Sequence, residues 1–118
     1  MAQTHIQRGK VMSWTNATGS DVVSGQVVVV GTILGVAAGD IANTATGELL
    51  VEEVHALPKA AEEISQGAQL YWDADGNPVG GVTGSGALTA TSSGNTAAGK
   101  AFAGAVSGDT SVNIKLNA

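Results

Sequence analysis

Apolar residues in this chain come in short bursts, each cut off by glycine or a polar cluster, and the period inside a burst is two. Val112, Ile114 and Leu116 alternate with Asn113 and Lys115, which predicts a half-buried strand over 111–116 with Ser107-Gly108-Asp109-Thr110 as its turn. Val27 to Val30 and Ile33 to Ala37 are β-branched or apolar runs separated by Gly31-Thr32, the spacing of a two-residue hairpin loop with glycine first. Such runs favour strand because β-branched side chains lose χ1 freedom in a helix. Ile6 to Thr15 reads as two short strands meeting near Gly9, and Gln69 to Asp73 as a compact strand ending in the turn Ala74-Asp75-Gly76-Asn77. Further strands are expected over Ala87–Thr91 and Lys100–Val106.

One segment breaks the alternation. From Leu49 to Leu57 the apolar residues change parity at Glu52-Glu53, and a mid-strand bulge there would restore the pattern before Pro58 ends the run. Ala60 to Ser65 is predicted as the single short helix, with Glu62 and Glu63 near its positive end. Gly80 to Gly86 is expected to be a mobile loop. The sum is eight to ten short strands at roughly ten-residue spacing, an all-β chain forming a small β-barrel or sandwich. The 118 residues suit one domain, with 1–5 as a flexible arm and 6–118 as the folded body.

Composition narrows the function. Charged residues are 13% of the chain against a usual ~25%, and 17 residues are glycine. Few charges leave a surface poorly protected from association, which suits a subunit packed against neighbours. The net charge is −5 with only five scattered basic residues, so no basic patch can form and direct nucleic-acid binding is not expected. There is no cysteine, and no apolar run approaches the length of a membrane span. No basic and apolar leader precedes Ile6, so synthesis and use in a bacterial cytoplasm are expected.

The motifs that suggest chemistry all have a plainer reading. Gly94 to Ala101 nearly matches the phosphate-binding pattern G-x-x-x-x-G-K-[ST], but Ala101 stands where the magnesium-binding hydroxyl belongs, and strand rather than helix follows. Asp73-Ala74-Asp75-Gly76-Asn77 resembles the opening of a calcium loop, yet Gly84 occupies the place of the bidentate glutamate. His5 and His55 have no partner at metal spacing, and Glu52-Glu53 or Glu62-Glu63 would point to opposite faces of a strand. Asn16-Ala17-Thr18 is a formal glycosylation sequon without an export signal. Trp14, Tyr71, Trp72 and Phe102 are too few for a base-stacking platform and belong to core or subunit contacts. No cofactor, metal or catalytic residue is expected.

Several of these pieces, taken in order, resemble the capsid cement or decoration proteins of tailed phages and prophages. They are Ile6-Gln7-Arg8-Gly9-Lys10, Val23-Ser24-Gly25-Gln26 leading into Val27–Gly31, Leu57-Pro58-Lys59-Ala60 followed by Ile64, Gly67 and Leu70-Tyr71-Trp72-Asp73, then Gly94-Asn95-Thr96 and Val112 to Asn117. The resemblance implies a non-enzymatic virion protein that binds the outside of an expanded head, as a symmetric oligomer at three-fold positions. Its partners would be the major capsid protein and its own copies. Contact with shell or subunit is expected at Thr4, His5, Ile6, Trp14 and Trp72. The chain departs from the family pattern in its glycine-rich loop 80–86. Two other readings stand beside this one: another phage structural part (head-fibre base or tail-tube protein), and a small carbohydrate-binding module using Trp14 or Trp72.

Overall fold

A computed structural model describes residues 11–118. Nine strands follow in order: β1 (Val11–Thr15), β2 (Val27–Val30), β3 (Ile33–Ala37), β4 (Thr46–Leu50), β5 (Val54–Pro58), β6 (Gln69–Asp73), β7 (Ala87–Thr89), β8 (Thr96–Ala101) and β9 (Ser111–Leu116). They form two antiparallel sheets, β1-β4-β3-β2 and β5-β9-β8-β6-β7. The all-β expectation holds, and the last strand alternates exposed and buried residues along its full length as its sequence predicts.

The β2–β3 hairpin also forms as read. Val30 pairs with Ile33, and Gly31 takes φ +59 between them. A positive φ at the first loop position is what a type II′ turn requires, and glycine adopts it without a Cβ penalty.

The expected helix over Ala60–Ser65 does not form; no helix occurs among the described residues. Six residues are too few to pay for helix nucleation on their own. Here backbone groups at both ends of the segment have partners elsewhere. The Ala60 N–H donates to Leu88 O at 2.9 Å, and Ile64 exchanges two 2.8 Å bonds with Ala105. The Glu62 carboxylate accepts from the Thr89 hydroxyl and the Ala90 N–H, at 2.9 and 2.6 Å. The segment is therefore drawn out across the end of the five-stranded sheet.

The expected bulged strand from Leu49 to Leu57 is two strands in different sheets. β4 pairs with β1 and β3, whereas β5 pairs with β9. The chain turns between them at Val51-Glu52-Glu53, where Glu53 has φ +74. The parity change in the sequence marks this corner, since a chain that changes sheets also changes the face it buries. The strand expected over Lys100–Val106 lies earlier, over Thr96–Ala101, because the segment after it pairs with Ile64 instead.

Two apolar clusters fill the interior. The larger joins Leu34 and Val36 of β3 to Leu57, Leu70, Trp72, Leu88 and Ile114 of the second sheet. The smaller lies within the first sheet around Val22, Val28, Ile41 and Leu49. Asn117, at φ +55, ties the two sheets together with its side chain. Its Oδ1 accepts from Leu34 N at 3.0 Å, while Nδ2 donates to Leu34 O at 2.8 Å and Val51 O at 2.6 Å. An amide of this shape reproduces the donor and acceptor of a neighbouring strand, so it pairs Leu34 on the side away from β2, where the β4 ladder does not reach.

Lys59 is 0% exposed, which is rare for a lysine. Its Nζ donates to Val106 O at 2.8 Å and reaches Asp109 O at 3.5 Å, fixing the connection between β8 and β9. Its backbone forms a parallel bridge to Leu88, drawing the end of β5 alongside β7. Lys59→Ala should cost about 3 kcal/mol or more, through the cavity and the unpaired carbonyl together. Lys59→Met keeps the volume and loses only the donors, so its cost should be less than half of that. Urea denaturation of both variants separates the two effects; equal losses would show that the hydrogen bonds, not the volume, dominate.

Candidate functional site

Of the five residues expected to make contacts, Thr4, His5 and Ile6 lie outside the described residues, as does the strand expected before Gly9. Trp14 and Trp72 come together. β1 places Trp14 half-buried against the smaller cluster, and the alternation of β6 turns Trp72 inward, 7% exposed, into the larger one. Both rings line a single open groove of about 610 Å³ at the junction of the sheets. Val27 and Val29 of β2 form one wall, and Pro58 and Gly86 complete the other. Gly86 packs so closely on the Trp72 ring that any Cβ there would overlap it.

Among the described residues no charged side chain lines the groove; Thr18, Gln26 and Ser85 and the two indole N–H groups supply its side-chain polarity. Among the described residues β2 has one strand neighbour, β3, so its outer edge is open beside Val27 and Val29. Apolar walls next to an open strand edge can take an extended or apolar segment of another protein.

The remaining candidates take ordinary structural roles. Gly94 to Lys100 runs through a turn into β8, so the near-match to a phosphate loop lacks both the loop and the helix. His55 Nε2 lies 3.0 Å from Glu52 O. The protonated Asp73 carboxyl can donate to the Asp75 side chain, and this raises it above its ordinary value, the behaviour of two acids sharing a turn. Among the described residues no group of three or more His, Cys, Asp or Glu could hold a metal ion. The sequon asparagine, Asn16, is 0% exposed with its amide fully engaged, so it is not accessible to a glycan. Loop 80–86 is tied at both ends: Gly81 N–H donates to Pro78 O at 3.1 Å, and Gly84 N–H to Asn77 Oδ1 at 2.8 Å and Gly86 N–H to Gly76 O at 2.9 Å.

Sequence reasoning missed the buried polar residues Asn16, Lys59 and Thr89 and the tie that Asn117 makes between the sheets, and it missed the exposure of Phe102 and Val106. A polar residue gives no local sign that it will be enclosed, because its partners are distant in the chain.

A family model described as phage cement protein matches residues 6–116. The chain belongs to the phage cement protein family. Comparison with curated proteins and with solved structures returns no match. For a phage cement protein the working part is a surface, and here it is carried on rigid strands. Among the described residues of this cement protein, the Trp14–Trp72 groove combines aromatic walls, a strand edge with one neighbour and a lining free of charge.

Proposed function

We propose that the protein decorates the outer surface of a tailed-phage head and stabilises it, as a trimer at three-fold and quasi-three-fold positions. The family match over residues 6–116 carries this reading. Its partners are the major capsid protein and its own copies, and its place is the capsid exterior after synthesis in the host cytoplasm. Physical features support the role. The body is cross-tied between sheets by Asn117 and across loops by Lys59, so load on one face is passed to the other without local unfolding. Low surface charge permits close packing against neighbours, and many copies burying roughly 1,000–2,000 Å² each resist shell rupture through multivalency.

In this reading Thr4, His5 and Ile6 contact the shell, with residues 1–5 acting as an arm that orders on binding. Trp14 contributes a partly exposed ring, and Trp72, almost enclosed, shapes the groove behind it. Mass photometry of the protein alone and with expanded empty heads tests the proposal. A trimer, or a monomer that loads onto heads in multiples of three, is expected; a monomer that ignores heads overturns it. Deleting residues 2–5 should weaken head binding, and unchanged binding would remove the arm from the mechanism.

A further inference from the structure

Among the described residues seven large apolar side chains are exposed; Val82 stands on loop 80–86, and Ile33 and Val54 start strands outside the groove lining. Val29, 38% exposed, lies on the wall of the Trp14–Trp72 groove, with Val23 close by in sequence. Phe102 and Val106, 56% and 61% exposed, stand on the connection between β8 and β9. That connection is held firmly although its side chains face water. Phe102 N–H donates to Asn113 O at 2.8 Å and Phe102 O accepts from Gln66 Nε2 at 3.2 Å. Ala105 is paired to Ile64, and Val106 is bonded through its carbonyl to Lys59 and through its N–H to Asp109 Oδ2 at 3.0 Å. An apolar knob on a fixed backbone loses little further freedom on docking, so most of its burial appears as affinity.

We infer that the Phe102–Val106 connection of one copy docks into the Trp14–Trp72 groove of the next. The inference rests on the proposed self-assembling cement role and supplies its contact. Charge selects a second copy as the occupant. The protein carries a net charge of −5, so its copies repel except where both surfaces are neutral. Among the described residues the groove lining has no charged residue, and neither does the stretch from Phe102 to Gly108. Knob and groove share no residue, so each copy can use both at once. A contact of this head-to-tail kind closes into a ring when its rotation allows. Acids sit at the rims: Glu63 and Asp109 beside Val106, and Asp73 and Asp75 on either side of Ala74. Salt should therefore tighten the contact by screening them.

The chain has no cysteine, so a disulfide can report the contact directly. Phe102→Cys and Val29→Cys proteins, mixed and oxidised in solution and on expanded heads, should cross-link in preference to either variant alone. Phe102→Asp alters an exposed side chain and should leave the fold intact. It should shift the trimer dissociation midpoint by at least about tenfold and remove any concentration-dependent shift in tryptophan emission. A trimer that persists unshifted in Phe102→Asp, with no preferential cross-link, overturns this docking and leaves the trimer reading standing. A wild-type protein that neither self-associates nor loads onto heads overturns both.

Discussion

Replacing Gly99 by alanine is expected to prevent folding, or to lower stability by about 4 kcal/mol or more, a large share of the ~5–15 kcal/mol available to a domain. Gly99 lies in β8 between two strands, opposite Leu70 of β6 and Leu116 of β9. The register slips there: Leu70 pairs with Gly99 but Tyr71 with Ala97, leaving Ala98 as an extra residue. This bulge turns Ala98 O toward Asn117, whose N–H donates to it at 2.7 Å. The geometry places Gly99 at φ +147, and a Cβ at this site would overlap the Lys115 carbonyl oxygen and lie 3.0 Å from its carbon. Backbone cannot yield as a flexible side chain can, so relief would mean separating β8 from β9 and unseating Asn117 from Leu34 and Val51. Soluble yield and thermal unfolding of Gly99→Ala check this. A midpoint within a few degrees of wild type would show that the two strands tolerate separation and that the close approach is incidental.

The same site shows why part of this fold was legible and part was not. A period of two and the glycine-first spacing at Gly31 are local, so β9 and the β2–β3 hairpin could be read from neighbouring residues alone. The bulge at Ala98 depends on Asn117 and Leu70, and nothing near it in the sequence marks it. The conflict at Glu52-Glu53 was visible as a change of parity, yet parity cannot distinguish a bulge inside one strand from a corner between two sheets. For Ala60 to Ser65 the local preference for helix was real but weak, and bonds to Leu88, Ala105 and Thr89 overrode it. The site was half legible. Trp14 and Trp72 stand out by residue type, but their meeting at one groove follows from sheet packing. Phe102 was placed in an expected strand, where an aromatic reads as core; it is exposed because the chain leaves β8 one residue earlier.

Asn16→Ala should lower stability by about 3 kcal/mol, a loss of the order expected for Lys59→Ala, with a fall in melting temperature of about 10 °C or more. Asn16 follows β1 directly and is 0% exposed. Its Nδ2 donates to Ser20 O at 2.8 Å and Ile41 O at 2.9 Å, and its Oδ1 accepts from Thr18 N at 3.0 Å and Thr18 Oγ1 at 2.7 Å. Its backbone is bonded to Ala45 and Thr44 as well. Alanine would strand the Thr18 N–H and leave Ser20 O with the Thr18 hydroxyl alone, and such lost partners cost more than a hydrogen bond returns when made. Asn16→Asp is the sharper variant. It preserves shape but sets a carboxylate oxygen against two carbonyls, so it should be at least as damaging as alanine although it removes almost no volume. The effect should reach the groove, because this network positions Thr18 and Val22 on its wall beside Trp14. Thermal unfolding followed by tryptophan emission therefore reads stability and groove integrity together. If both variants melt with the wild type, the loop from Asn16 to Val22 is held by the apolar contacts of Val22 and Ile41, and the buried amide is dispensable.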